Sequence, residues 1–177
     1  TLDINTGAGD DDVTINNFED DSESVLALDT GAGDDVLRAG EALTLANADS
    51  DHTIAFGEGD DEIVGAGNAM DLSNVTITGL ELIRVTGNEN VTVAAADFTG
   101  SSLQVSASAG TGDLVLAGTD DNDTIDASNF SVFGATGVTI NGGGGIDTIT
   151  GTTQADTLNG DVGNDIISGG AGNDTIT

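Results

Sequence analysis

The chain contains no cysteine, proline, tryptophan, tyrosine or lysine, and its single histidine is His52. Those absences remove disulfides, thiolate metal sites, His-rich zinc sites, Cys/His nucleophile pairs and Schiff-base lysines. Basic charge is nearly missing as well: Arg38 and Arg84 stand against 32 acidic residues, for a formal net charge of −30. Two arginines cannot form the basic face that meets nucleic-acid phosphates or an anionic membrane surface. No apolar run reaches the roughly 18 residues that a membrane-spanning helix needs. Residue 1 is a threonine without a basic and apolar leader, so the chain reads as a fragment or a processed product. The inventory points away from catalysis, and a repulsive field of this size calls for counter-ions.

What is present argues for a folded chain rather than a self-solvating one. The 177 residues suit one domain, 37% are hydrophobic, and the mean hydropathy is −0.01. The glycines carry a repeat. Thr6-Gly7-Ala8-Gly9-Asp10-Asp11-Asp12-Val13 recurs as Thr30-Gly31-Ala32-Gly33-Asp34-Asp35-Val36-Leu37 and as Phe56-Gly57-Glu58-Gly59-Asp60-Asp61-Glu62-Ile63, at offsets of 24 and 26. From Gly142 the period becomes nine: GGGGIDTIT, GTTQADTLN, GDVGNDIIS and GGAGNDTIT fill residues 142–177. A further copy, Gly118 to Asp126, lies 24 residues before Gly142.

Each copy is a turn of glycines and acids followed by a short strand with one large aliphatic residue: Val13, Leu37, Ile63, Ile125, Ile149, Leu158, Ile167 or Ile176. One inward side chain per strand closes no core, so such units are stable only when stacked into an internal ladder. Residues 65–117 lack the acidic turn but keep alternating strands over 75–78, 82–85, 91–93, 103–105 and 114–116. A helical reading fails, because no 3.6-residue apolar period is sustained and 27 glycines oppose it by up to about 1 kcal/mol each. The expected fold is all-β: a right-handed parallel β-roll or β-solenoid of short stacked strands with Gly/Asp turns. Three stretches form one continuous solenoid: 1–64 with acidic GxGDD turns, 65–117 without them, and 118–177 with the nonapeptides.

The turns have the chemistry of a hard-cation site. Calcium takes six to eight oxygen ligands, and backbone carbonyls can supply most of them. Glycine at positive φ lets carbonyls crowd together, and the closing Asp supplies charge. Zinc or copper would want nitrogen or sulfur ligands, and magnesium a tight octahedron that keeps its waters.

The consensus G-G-x-G-x-D-x-U-x, complete at Gly142–Thr150 and Gly169–Thr177, resembles the RTX family, the calcium-binding β-roll repeats of proteins exported by bacterial type I secretion. Gly160–Ser168 has Asp161 at the second position, Gly151–Asn159 keeps only Gly151, Asp156 and Leu158, and the N-terminal copies begin with Thr6, Thr30 or Phe56. The resemblance implies calcium between stacked turns, on main-chain oxygens from positions two and four plus Asp of the earlier turn and positions one and three plus Asp of the later. That gives Gly7, Gly9 and Asp11 with Thr30, Ala32 and Asp35, then Gly31, Gly33 and Asp35 with Phe56, Glu58 and Asp61. In the nonapeptides it gives Gly143, Gly145 and Asp147 with Gly160, Val162 and Asp165, and Thr152, Gln154 and Asp156 with Gly169, Ala171 and Asp174. A fifth set joins Thr119, Asp121 and Asp123 to Gly142, Gly144 and Asp147. About five Ca²⁺ ions would bring the charge from −30 to about −20.

Other features read as structural. Paired acids such as Asp10 with Asp11 lack the aromatic platforms of a glycosidase site. His52 beside Asp51 reads as a solvated turn histidine, and Arg38 and Arg84 as partners of nearby carboxylates. The strand threonines are too irregularly spaced for an ice-binding array. The expected function is non-enzymatic: a calcium-binding structural module of a secreted bacterial surface protein, S-layer or adhesin, that folds and assembles on meeting extracellular calcium. The alternative is the non-catalytic C-terminal module of a type I-secreted exoenzyme. The implied partners are calcium, further copies of the chain or a cell-surface glycan, with no nucleic acid and no membrane insertion.

Overall fold

The computed structural model describes residues 2–16, 18, 24–40, 42–45, 51–65, 67–107, 112–134 and 137–177. The alternating segments form short strands that stack in register into columns, a parallel β-solenoid. One column pairs Leu2–Asn5, Leu26–Asp29, His52–Ala55 and Val75–Thr78. A second stacks Asp12–Ile15, Val36–Ala39, Glu62–Gly65, Leu82–Val85, Gln104–Ala107 and Ser131–Phe133. A third runs from Leu43–Thr44 through Met70–Leu72, Val91–Ala94, Leu114–Ala117, Thr139–Asn141 and Thr157–Asn159 to Thr175–Ile176. A fourth holds Thr124–Asp126, Thr148–Thr150 and Ile166–Ser168. The second and third columns run unbroken through the stretch without acidic turns.

Register follows from the inward aliphatics. Val13, Leu37, Ile63, Ile83, Val105 and Val132 lie one above another, as do Ile125, Ile149 and Ile167. A one-residue slip would turn this whole set to solvent, which fixes the pairing. Leu37, Ile63 and Ile83 are fully buried, whereas Ile176, on the last coil with no layer above it, is 52% exposed. The strand expected at 103–105 begins one residue later, at Gln104, although Leu103 is buried like Val105.

His52 corrects one expectation. It lies in a strand, 1% exposed, and its Nδ1 accepts the N–H of Leu26 at 3.0 Å, while Phe18 meets the ring edge-on. Its neighbour Asp51 is exposed, but the period of two turns the imidazole inward. Both arginines pair with carboxylates of the preceding coil, Arg38 with Asp12 and Arg84 with Glu62. Among the described residues the only helix is the 3₁₀ turn Ala95–Asp97, and no helix is long and apolar enough to cross a membrane.

The acidic turns stack at three corners. Residues 6–11, 30–35 and 56–61 share the first, residues 118–123, 142–147 and 160–165 the second, and residues 151–156 and 169–174 the third.

Candidate metal centres

Each turn is placed by the strands on either side of it, so successive turns approach as closely as the strands do. Backbone meets backbone there: Ala32 donates its N–H to the Gly7 carbonyl at 3.1 Å, and Gly9 donates to the Ala32 carbonyl at 2.7 Å. A Cβ added at Gly31, whose φ is +91°, would lie 1.5 Å from the Gly7 oxygen. At this position both the conformation and the space require glycine. Gly142 is different: its φ is ordinary, and a Cβ would sit 2.4 Å from Oδ2 of Asp147 in its own turn. The first glycine of the nonapeptide therefore makes room for the carboxylate of its own turn as well as for the next turn's backbone, whose Gly160 oxygen would lie 2.9 Å away. Asp161 holds the second position of its turn at a φ of 59°, the single non-glycine residue at positive φ among the described residues.

The closing aspartates form a ladder. Asp11 donates its N–H to Oδ1 of Asp35 at 2.9 Å, and Asp35 donates to Oδ1 of Asp61 at 2.8 Å. At the second corner Asp123 donates to Asp147 at 2.8 Å and Asp147 to Asp165 at 3.0 Å; at the third, Asp156 donates to Asp174 at 3.0 Å. The turns that carry the five residue sets expected from the sequence are thus stacked in pairs, including the fifth, whose turns are separated by a 24-residue coil. Gly144 donates to the Thr119 carbonyl and Val162 to the Gly143 carbonyl, each at 2.8 Å.

The sets are not equivalent. Oδ2 of Asp11, Asp35, Asp61 and Asp147 is buried without a hydrogen-bond partner, and Asp35, Asp61 and Asp147 are wholly shielded from solvent. A buried, unpaired carboxylate oxygen is costly unless a cation meets it. All four belong to turns with glycine at the second position: Gly7, Gly31, Gly57 and Gly143. Where threonine stands there, the carboxylate is already satisfied. Asp123 Oδ2 accepts the N–H and hydroxyl of Thr119 at 2.7 and 2.9 Å, and Asp156 accepts those of Thr152 at 2.6 to 3.0 Å. Asp156 also accepts the N–H of Val138 at 2.9 Å. Threonine at the second position thus supplies its own turn's aspartate with a hydroxyl partner, which glycine cannot do.

Electrostatics run the same way. Burial pushes the Asp61 carboxyl above its usual range; Asp35, Asp34 and Asp60 push it further, against the N–H that Asp35 donates. Among the described residues no three acidic or histidine side chains converge to hold a metal by themselves. A cation here takes carbonyl oxygens as well, which suits calcium and not zinc. The orphaned Asp oxygens and crowded carbonyls fit calcium.

Two contributions escaped the sequence reading. Asp10 and Asp34 form a second, outer ladder at the first corner and Asn122 repeats it at the second, accepting the N–H groups of Asp34, Asp60 and Ile146 from the next coil. Aligning the turns position by position would have revealed that shared role at position five. The other is Glu81, which accepts the Asp61 N–H at 3.0 Å although its own turn lacks the motif.

The model of the RTX calcium-binding nonapeptide repeat matches residues 28–42 and 141–176, in four copies. Searches of the curated proteins and of the solved structures return no match. The matched spans coincide with stacked turns at all three corners, so these turns carry RTX calcium-binding repeats, which support a calcium-binding module.

Proposed function

We propose that this module is a structural part of a secreted bacterial surface protein, an S-layer or an adhesin, that folds and assembles when it meets extracellular calcium. The observation that carries the reading is the set of buried carboxylate oxygens without partners at Asp11, Asp35, Asp61 and Asp147. A chain of formal charge −30 that buries such groups folds poorly where calcium is scarce. It suits export as an unfolded chain through type I secretion and folding outside the cell.

The best-equipped sites join Gly7, Gly9 and Asp11 to Thr30, Ala32 and Asp35; Gly31, Gly33 and Asp35 to Phe56, Glu58 and Asp61; and Gly143, Gly145 and Asp147 to Gly160, Val162 and Asp165. The sets containing Thr119 and Thr152 bind more weakly, because their aspartates are already hydrogen-bonded. The stretches 1–64, 65–117 and 118–177 act as one solenoid in which calcium secures the two ends.

The test is far-UV circular dichroism during a calcium titration from chelator, with magnesium in parallel, followed by light scattering and negative-stain microscopy. A cooperative gain of β signal with calcium alone, then ordered sheets or fibres, is expected. An unchanged β spectrum without calcium would overturn the folding part. A strictly monomeric product would instead favour an accessory module of an exoenzyme, a reading supported by the regular nonapeptides of residues 142–177.

A further inference from the structure

The first corner continues one level beyond its three acidic turns. Above Phe56–Asp61 the chain crosses from Val75–Thr78 to Leu82–Val85 through only Gly79, Leu80 and Glu81, three residues where the coil below uses six. The short crossing still keeps the aspartate ladder intact. Glu81 donates its N–H to the Asp61 carbonyl at 3.3 Å, and Leu82 donates to the same oxygen at 3.0 Å. Oε2 of Glu81 accepts the Asp61 N–H at 3.0 Å, as Oδ1 of Asp61 accepts that of Asp35. The longer glutamate side chain thus reaches the place that an aspartate of a full turn would hold.

The cut-off turn also leaves Gly57, Glu58, Gly59 and Asp60 exposed, with no full turn above them. Beside them Asp61 is wholly shielded from solvent and its Oδ2 has no partner. Glu81 is also one of the residues along a recess of about 630 Å³ that opens between Ile77–Glu81 and Asp97–Leu103.

The geometry points to a further calcium site on this rim, closed by Glu81 in place of a repeat aspartate. It rests on the calcium reading proposed above. Its protein ligands are the Gly57 and Gly59 carbonyls with the carboxylates of Asp61 and Glu81, and water reaching the exposed turn completes the shell. With fewer protein oxygens than the two sites below it, it is the weakest of the three at this corner. Asp61 then bridges two ions, as Asp35 does one coil earlier.

The experiment counts calcium ions on the folded chain by native mass spectrometry and titration calorimetry, for the unaltered chain, Glu81→Gln and Asp97→Asn. Glutamine retains an oxygen for the Asp61 N–H, so the coil stays folded, which circular dichroism verifies. Glu81→Gln loses one ion, or binds it roughly tenfold more weakly as expected for one fewer ligand charge. Asp97→Asn, on the opposite wall, leaves the count unchanged. Identical counts and affinities in the unaltered chain and Glu81→Gln would overturn this site while leaving the calcium reading in place. Absence of calcium from the unaltered chain would overturn both.

Discussion

Asp35→Asn has effects of opposite sign with and without calcium. Asp35 serves two neighbouring sites, lies fully buried, and gives Oδ1 to the Asp11 N–H while Oδ2 has no partner. Asparagine matches its shape and keeps the accepting oxygen, so the substitution removes charge without opening a cavity. A site with Kd of about 10⁻⁴ M in roughly 10 mM calcium adds about 2.7 kcal/mol to folding, so two sites add about 5. If asparagine weakens both ions to a Kd near the calcium concentration, each retains about 0.4 kcal/mol, and the variant loses about 4–5 kcal/mol. That approaches the whole stability of a typical domain. In chelator, with an excluded osmolyte added to populate the folded form, the sign reverses, because the variant no longer buries an uncompensated charge near Asp34 and Asp61. Urea unfolding followed by far-UV circular dichroism is the suitable assay, since the chain has no tryptophan or tyrosine. An equal loss in calcium and in chelator would show that Asp35 acts through the fold alone and would refute the reasoning.

The turn spacing makes a separate prediction: Gly31→Ala places a methyl group 1.5 Å from the Gly7 oxygen at a φ of +91°, and costs about 3–5 kcal/mol by urea unfolding in calcium. Gly100→Ala, at a φ of +71° with no atom near the added group, costs only about 1–2 kcal/mol. In the ladder, Ile83→Ala empties a fully buried position and costs about 2–5 kcal/mol, whereas Ile176→Ala, 52% exposed on the last coil, costs under about 1. Burial holds the Asp97 carboxyl above its usual value of 3.8, against the N–H that Ile77 donates to it. The folded chain therefore holds this proton more tightly than the unfolded chain, and the group's contribution improves as pH falls through its raised value towards 3.8. Asp97→Asn, which keeps an acceptor for Ile77, accordingly raises the melting temperature at neutral pH, and the gain disappears in acid. A gain that persists below that range would assign the effect to something other than the charge.

The solenoid was legible because its determinants are periodic and local. Alternation with one aliphatic per short strand, glycine where φ is positive, and acids at fixed positions together define a unit that must stack, and stacking fixes which residues meet. The ladder from Leu37 through Ile63 and the pairing of Asp11, Asp35 and Asp61 followed from offsets alone. Residue types also determined the cation class, since oxygen is nearly the only donor the chain offers. Tertiary structure decided what depends on the neighbouring coil. Whether an aspartate finds a partner within its own turn depends on a threonine at position two folding its hydroxyl back, as Thr152 does for Asp156. That Asp97 substitutes its carboxylate for a strand carbonyl above Ile77, and that Glu81 completes an aspartate ladder from a turn without the motif, required knowing which residue each one faces. The physical reason is range: periodicity encodes contacts repeated at every coil, whereas these hydrogen bonds occur once, between segments 20 residues apart whose register only the stacked coils establish.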